Sequence, residues 1–268
     1  MRVSGATVVV TGASSGIGAA TAVAFARAGA RALVLLARTR PALEEVAARV
    51  GAAGARAVVL PVDLRDAAAV DRAARDAIGA LGAPDVLVNN AGAGRWLFAE
   101  ETSAEELRQM MDVPFAAAFH ATRAFLPGML VRRSGRIVNV NSPASFVPWP
   151  GATGYAAARW ALRGLSEALR ADLGGTGVGV TLFTAGQVDT PYFEHNPGTL
   201  ERMPRIARLY RTLTPDEAAR AIVRAVERDA RNAAAPPLLA ATLAVHRFFP
   251  GLVGWLVART GVRHRASR

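Results

Sequence analysis

Three side chains that can exchange protons or hydrogen bonds with a substrate oxygen lie close together in the sequence. Ser142 carries a hydroxyl, Tyr155 carries a phenol thirteen residues later, and Arg159 carries a guanidinium four residues after the tyrosine. On a helix, residues four apart share one face about one turn apart. Ser142 directly follows the strand-like segment GRIVNVN. If that strand ends beside the start of the helix, the three groups converge on one substrate oxygen, and the chemistry still requires a cofactor.

The elements that must position these groups alternate between strands and helices. Apolar, β-branched runs predict strands near 6–11, 32–37, 57–61, 85–89, 135–140 and 178–184. Alanine-rich stretches predict helices near 17–29, 41–52, 66–80, 103–131, 153–173 and 215–230. This alternation is typical of βαβ units around a parallel sheet, and therefore of an α/β fold.

The length of the chain predicts a single domain over residues 1–268, because it is sufficient for one large α/β domain and short for two. Residues 186–214 are rich in proline, arginine and aromatics and interrupt the regular pattern. Long irregular segments after the regular strands of such sheets often cover a site, so we expect a substrate lid here. An apolar and basic extension follows at about 232–268.

A glycine-rich turn, TGASSGIG, joins the first predicted strand to the first predicted helix. Its glycines leave room where the turn is tight, where phosphate oxygens approach the backbone and where the helix packs on the strand. A helix that begins here offers unpaired N–H groups to a pyrophosphate. In this position the turn indicates a dinucleotide site. The candidate cofactor contacts are Gly12, Ser14, Ser15, Gly16, Ile17 and Gly18.

The end of the second predicted strand indicates which dinucleotide binds. An acidic residue there would bond the ribose diol and repel a 2′-phosphate, whereas this chain has Ala37 and Arg38. A guanidinium can pair with the 2′-phosphate, so NADP(H) is predicted; the alternative is that Arg38 is an ordinary surface arginine. Further candidate contacts follow the third and fourth strands, where an open parallel sheet binds its ligand. They are Asp63, Leu64, Asn90, Ala91 and Gly92.

The net charge of +11 is concentrated near the C-terminus. Residues 201–268 hold 13 arginines against 5 acidic residues, and residues 1–200 hold 19 against 16. No nucleic-acid-binding motif accompanies these arginines, so we predict no nucleic-acid partner. A solvated basic face is the simpler interpretation, and an anionic membrane surface or an acidic partner is the alternative. All 32 basic residues are arginine.

The remaining composition excludes several classes of site. The chain has no cysteine, and its histidines are scattered singly at 120, 195, 246 and 264, so no metal site is predicted. No apolar run reaches the ~18 residues that span a bilayer, and the N-terminus reads as a strand, so we expect a cytoplasmic protein. The apolar runs of the extension are expected to cap the pocket or a subunit interface, and shallow membrane association is the less favoured alternative.

Taken together, TGASSGIG, the Asp63-Leu64 pair, NNAG at 89–92 and the Ser142–Tyr155 spacing resemble the short-chain dehydrogenase/reductase family over roughly residues 5–190. The resemblance implies a doubly wound Rossmann fold with three α/β/α layers, a nicotinamide cofactor and a homodimer or homotetramer. It assigns Ser142 to the substrate carbonyl and Tyr155 to proton transfer. It assigns Val188 and Thr190 to the nicotinamide carboxamide, and the glycine turn and the residues 90–92 to the cofactor.

Three positions depart from the family pattern: Arg159 replaces a lysine, Pro114 replaces an asparagine, and Ala185-Gly186 replaces a Pro-Gly pair. Arginine keeps a cation that favours a phenolate and donors for the nicotinamide ribose, but it is longer and planar. In the family the asparagine helps to hold a water that relays protons, and proline cannot do so. Proline inside the predicted helix 103–131 also forfeits a hydrogen bond and kinks the helix. The relay is therefore expected to be broken or rerouted.

The leading hypothesis is the NADPH-dependent reduction of a ketone or aldehyde, or the reverse oxidation, with Ser142, Tyr155 and Arg159 as catalytic residues. The segments expected to border the nicotinamide end contain six apolar or aromatic residues: Phe146, Val147, Trp149, Pro150, Tyr192 and Phe193. They suggest an apolar small-molecule substrate, although ordinary packing explains them equally well. One alternative is a non-redox enzyme or regulatory protein that retains NADP. Another is a lyase resembling the halohydrin dehalogenases, which share the Ser-Tyr-Arg triad but lack the glycine turn that this chain keeps.

Overall fold

The computed structural model describes residues 1–262, so the end of the predicted extension, with His264, lies outside the described residues. The strands are β1 (Thr7–Thr11), β2 (Ala32–Ala37), β3 (Arg56–Pro61), β4 (Val86–Asn89), β5 (Gly135–Asn141), β6 (Val178–Ala185) and β7 (Asn232–Ala235). They form one parallel sheet in the order β3-β2-β1-β4-β5-β6-β7. The predicted parallel sheet is confirmed. The pattern does not predict β7, because its sequence NAAA lacks the β-branched residues typical of strands.

Helices cover both faces of the sheet. They are α1 (Gly16–Arg27), α2 (Arg40–Ala52), α3 (Ala67–Leu81), α4 (Ala104–Met111), α5 (Ala117–Arg132), α6 (Thr153–Asp172), α7 (Tyr192–His195), α8 (Pro215–Glu227), α9 (Pro237–Phe248) and α10 (Pro250–Thr260). One apolar core joins α1, α2 and α8 to the sheet, and a second joins α3, α5 and α6 to the opposite face. The doubly wound, three-layer α/β/α fold is therefore confirmed.

Each central strand contributes to both cores because successive side chains point to opposite faces of a strand. In β1, Val8 and Val10 pack with Phe25 of α1, and Val9 packs with Phe125 of α5. All of these side chains are fully buried. Burying each phenylalanine contributes about 1.5–3 kcal/mol, so the two cores hold helices firmly against both faces.

The helix predicted at 103–131 is not continuous, and it breaks at the predicted kink near Pro114: a turn of π-helix at Asp112–Ala116 separates α4 from α5. Val113, inside this turn, has extended backbone angles of φ −135° and ψ 104°. Its position before Pro114 explains this, since the proline ring clashes with a preceding residue in the helical conformation. The break places Val113 on the wall of the cleft described below.

The order of the strands reverses between β1 and β4. From β1 the chain proceeds through β2 to β3 at one edge of the sheet, and from β4 it proceeds through β5 and β6 to β7 at the other edge. Open parallel sheets bind ligands outside the carboxyl ends of their strands at such a point. Here the Thr11 hydroxyl accepts hydrogen bonds from the backbone N–H groups of Asn90 at 2.9 Å and Ala91 at 3.1 Å. The glycine turn after β1 and the loop after β4 are therefore fixed to each other.

Candidate active site

A cleft of about 830 Å³ follows the carboxyl ends of the strands. Every candidate site residue except Gly18 lines it: Gly12, Ser14, Ser15, Gly16, Ile17, Arg38, Asp63, Leu64, Asn90, Ala91, Gly92, Ser142, Tyr155, Arg159, Val188 and Thr190. The glycine turn and the end of β2 form one end of this cleft, because β1 and β2 are neighbours in the sheet. Residues after β5 and at the start of α6 form the other.

The glycine turn has the backbone geometry that its residue types predict. Gly12 and Gly16 have φ values of 63° and 53°, in the left-handed region that favours glycine. A Cβ atom on Gly18 would lie 2.1 Å from the Gly12 carbonyl oxygen, so Gly18 permits close packing instead of lining the cleft. The first turn of α1 carries no acidic side chain, and Ser15 makes no capping bond. Its backbone N–H groups are thus available to an anion.

Asn90 braces the glycine turn as well as lining the cleft. Its side-chain amide donates to the carbonyl oxygens of Thr11 at 3.1 Å and Gly12 at 3.3 Å. The side-chain NH₂ group of Asn90 is therefore engaged with the protein backbone. Its contribution to ligand binding is therefore partly to hold the turn in shape.

Charged side chains gather near the carboxyl ends of β2 and β3. Arg38 is exposed on the cleft wall. Asp63 accepts hydrogen bonds from the Arg65 guanidinium at 2.6 Å and the Arg65 backbone N–H at 3.0 Å. Hydrogen bonding to Arg65, with a smaller contribution from the charge of Arg38, lowers the pKa of Asp63 to about 2. Arg65 also lines the cleft and is a second guanidinium here that the sequence analysis missed.

The structure brings Ser142, Tyr155 and Arg159 to the same cleft. Tyr155 and Arg159 are 6% and 8% exposed, and the guanidinium carbon of Arg159 lies 5.0 Å from the centre of the Tyr155 ring. One terminal nitrogen of Arg159 donates to the Val140 carbonyl at 3.4 Å, and its Nε is buried without a partner among the described residues. The Ser142 oxygen accepts from the Ala144 N–H at 3.3 Å, which leaves its hydroxyl hydrogen to donate.

Gly92 provides the space that the Arg159 side chain requires. A Cβ atom on Gly92 would lie 2.8 Å from Nη2 of Arg159, closer than side-chain atoms ordinarily approach. The guanidinium therefore rests against the backbone of the NNAG loop. Pro114 is buried in the break between α4 and α5, and its side chain has no polar atom to offer the site.

Aromatic side chains of the cleft make two further kinds of contact near Tyr155. The Tyr192 hydroxyl donates to the Gly94 carbonyl at 2.6 Å. Burial, together with the neighbouring Tyr155, raises the pKa of Tyr192 far above the ordinary tyrosine value, although Arg159 opposes the shift. The Trp96 ring lies 5.6 Å from Tyr155 and 4.9 Å from Trp149, between ring centres. Of the six residues expected at the nicotinamide end, Trp149, Tyr192 and Phe193 line the cleft, whereas Phe146, Val147 and Pro150 do not.

The described residues also bear on metal and membrane binding. Residues 1–262 contain no cluster of three or more histidine, aspartate or glutamate side chains placed to hold a metal ion. Over the same residues, no helix combines the length and the apolar character that crossing a membrane requires.

Comparison with known proteins gives a consistent set of relatives. A family model described as short chain dehydrogenase matches residues 6–199. The probable oxidoreductase EphD of Mycobacterium tuberculosis (strain ATCC 25618 / H37Rv) is 37% identical over 236 residues, which are 82% of this chain and 39% of that protein. This chain thus spans about two fifths of that relative. The 1-deoxy-11-beta-hydroxypentalenate dehydrogenase of Streptomyces exfoliatus is 41% identical over 188 residues, covering 68% of this chain and 67% of the relative.

Two solved structures resemble the whole sheet and its helices. An alcohol dehydrogenase from the archaeon Thermococcus sibiricus, complexed with 5-hydroxy-NADP, has a TM-score of 0.75 at 29% identity and covers 85% of this chain and 94% of its own. A metagenomic short-chain oxidoreductase in complex with NADP has a TM-score of 0.70 at 31% identity and covers 84% of this chain and 91% of its own.

Proposed function

Because the chain belongs to the short-chain dehydrogenase family, we propose that it is an NADP(H)-dependent oxidoreductase that interconverts an alcohol with a ketone or aldehyde on an apolar substrate. The observation that carries the proposal is the buried phenol of Tyr155 beside the Arg159 guanidinium, in the same cleft as the glycine turn. The Streptomyces relative, named as a dehydrogenase of a hydroxypentalenate, supports this class of reaction.

The residues of the cleft fit NADP(H). The free N–H groups at the start of α1 suit a pyrophosphate, and Arg38, exposed at the end of β2, suits a 2′-phosphate. Val188 and Thr190 line the cleft, and we propose that they contact the nicotinamide end. The NADP and 5-hydroxy-NADP of the two similar structures support the same cofactor. When bound, NADPH supplies the hydride for the carbonyl carbon.

The side chains of the cleft handle the oxygen of the substrate. The Ser142 hydroxyl donates a hydrogen bond to the carbonyl oxygen and stabilises the negative charge that develops there. Tyr155 then gives its proton to that oxygen, which becomes the alcohol, and the phenolate that remains is stabilised by the adjacent Arg159 cation. Tyr192, kept neutral by its surroundings, remains a hydrogen-bond donor.

The segment 186–214, which we call the lid segment, is proposed to close over the substrate. Tyr192 ties it to Gly94, and Arg202 pairs with Glu101 at 2.6 Å. Aromatic side chains of Trp96, Trp149 and Phe193 along the same wall support an apolar substrate. Exposed apolar side chains on α5 and α6, such as Phe119 and Trp160, support self-association into a dimer or tetramer.

We expect Tyr155→Phe to abolish turnover while NADPH affinity changes little, because the substitution removes one proton donor and keeps the ring. Removing a single such group often costs 10²–10³-fold in rate, about 3–4 kcal/mol. Oxidation of NADPH by a panel of apolar ketones measures turnover, and fluorescence titration measures binding. Unchanged turnover in the variant would contradict the mechanism.

A cofactor-retaining protein without redox activity is the second candidate, and two observations favour it. Pro114 offers no polar side chain to a proton relay, and Nε of Arg159 has no partner among residues 1–262. Tight NADPH binding without NADPH oxidation across the ketone panel would identify this class. The dehalogenase alternative has less support, since the glycine turn and Arg38 are both retained; release of halide from halo-alcohols would identify it.

A further inference from the structure

The helix α9 is mostly apolar before its last turn and yet lies on the surface. Its sequence is PLLAATLAVHRF, and Leu239 is the one residue of α9 that is buried. A helix this rich in apolar residues ordinarily packs most of them against other elements. The exposure of α9 therefore requires a physical account.

The neighbouring helix α10 continues this exposed apolar surface. Val253 and Val257 are buried against Val147, while Leu252 and Trp255 on the opposite side are about half exposed. At the junction of the two helices, Phe248 and Phe249 are 75% and 61% exposed. We call the following set the docking face: Leu238, Val245, Phe248, Phe249, Leu252 and Trp255. Residues three, four or seven apart share one face of a helix, so Leu238 and Val245 lie on one side of α9 and Leu252 and Trp255 on one side of α10. Grouped exposed apolar side chains of this kind mark interaction surfaces.

The described part of the extension carries positive charge and no negative charge. Residues 230–262 contain three arginines and no aspartate or glutamate. Arg247 and Arg259 are exposed on the helices themselves, and the Arg259 guanidinium lies 5.3 Å from the centre of the Trp255 ring. Aromatic and aliphatic side chains bordered by arginines are typical of helices that lie in the interface of an anionic membrane.

We propose that α9 and α10 dock the protein on an anionic lipid surface. Phe248, Phe249 and Trp255 enter the boundary between headgroups and acyl chains, and the arginines pair with lipid phosphates. A second copy of the chain fits this surface less well. In a two-fold contact each docking face meets itself, which brings the Arg247 and Arg259 of both copies together without a carboxylate from either helix.

Packed side chains connect the two helices of the docking face to the cleft wall. Val253 and Val257 belong to an apolar cluster that also includes Trp149, which lines the cleft. On α9, Thr242 accepts a hydrogen bond from Tyr210 of the lid segment at 2.9 Å. Docking thus holds the cleft close to the lipid surface, in a position to receive an apolar substrate if the proposed function is correct.

Flotation of the full chain with lipid vesicles tests the proposal. We expect binding to vesicles of phosphatidylcholine with about one third phosphatidylglycerol, weaker binding to pure phosphatidylcholine, and loss of the difference at about 1 M salt. Phe248→Glu is expected to lower partitioning at least about tenfold. Arg247→Gln is expected to lower it about fivefold. Val131→Glu, at an exposed apolar position on α5, is the matched control and should partition like the wild type.

Three results would overturn the proposal. The first is that the wild type binds neither kind of vesicle, and the second is that the wild type and Phe248→Glu bind equally well. The third is that the wild type does not bind vesicles but forms a dimer that the Phe248→Glu substitution dissociates. A far-UV circular dichroism spectrum and a cooperative thermal unfolding transition like those of the wild type show that Phe248→Glu is folded. Since vesicle binding does not depend on turnover, failure of the oxidoreductase proposal would leave this result interpretable.

Discussion

At the scale of single residues, Arg159 depends on the absence of a side chain at position 92. Its Nη2 atom is so close to Gly92 that a methyl group there must displace the guanidinium. The displaced group is the end of a flexible side chain, so we expect the substitution to change the stability of the fold little. The position of the guanidinium in the site should change more. Gly92 is therefore a position at which the placement of the cation can be altered without removing it.

We expect Gly92→Ala to lower kcat about 10- to 100-fold, because the cation moves away from the Tyr155 phenolate. Measurement at saturating NADPH separates this effect from weaker cofactor binding. Arg159→Lys in the Gly92→Ala background should recover much of the loss, since lysine has no atom at the Nη2 position. The control is Gly79→Ala, where a Cβ meets nothing within 4 Å. Full activity in Gly92→Ala would contradict the placement argument.

The pKa of Tyr192, raised mainly by burial, gives a second test at this scale. A raised value means that the folded state favours the neutral phenol, so the associated stability is present below about pH 10 and is lost as the pH rises above it. We expect Tyr192→Phe to leave the tyrosinate absorbance of the native protein unchanged up to about pH 11. After denaturation the variant should show one ionised tyrosine fewer. A smaller native signal in the variant would mean that Tyr192 ionises normally.

Residue spacing anticipated part of the site and missed the contacts made by loops. Tyr155 and Arg159 are neighbours on one helix, and their spacing was sufficient to place them together. Gly94 and Arg65 were missed because their contacts depend on the path of the backbone after β4 and β3. Short-range sequence patterns do not encode such paths. The catalytic and cofactor roles of the residues in the cleft remain predictions.

At the scale of elements, α8 begins at a complete capping box. The Thr214 oxygen accepts from the Glu217 N–H at 3.2 Å, and the Glu217 carboxylate accepts from the Thr214 N–H at 2.9 Å. The helix buries Ile222 and Val226 completely in the core that it shares with α1. The cap therefore stabilises an element on which one whole face of the sheet depends.

Thr214→Ala is expected to lower the free energy of unfolding by about 1 kcal/mol, because it leaves an N–H group at the helix start without its partner. The corresponding fall in Tm is about 2–4 °C. Thr39→Ala is the matched control, since Thr39 precedes α2 without a side-chain capping bond and should change Tm little. Equal effects of both substitutions in thermal unfolding would show that the cap contributes nothing specific.

Hydrophobic periodicity identified most elements and failed where another force decides the backbone. The break at Val113 is set by the steric demand of Pro114, which outweighs an otherwise helical pattern. Strand β7 is short and alanine-rich, and pairing with β6 makes it a strand. In the extension, the apolar pattern matches a buried helix, whereas α9 is exposed. Hydrophobic periodicity along the chain does not report which strands pair, or whether an apolar helix is covered by the rest of the chain.

At the scale of the whole molecule, the cleft collects residues from both halves of the sheet. Its walls extend in sequence from Gly12 to Met203 and include residues at the ends of β1, β2, β4, β5 and β6. These residues converge only when the complete sheet has formed. A dinucleotide that fills the cleft therefore binds the native state and not the unfolded chain, so its binding must stabilise the fold.

We expect NADPH at about one hundred times its Kd to raise the free energy of unfolding by about 2.7 kcal/mol, and hence Tm by about 5–10 °C. NADH at the same concentration should raise Tm less, because it lacks the 2′-phosphate that we propose Arg38 binds. Arg38→Asp should remove most of the NADPH shift and increase the NADH shift, since a carboxylate repels the 2′-phosphate and accepts bonds from a ribose diol. Equal shifts by both cofactors in the wild type would contradict the proposed NADP(H) preference.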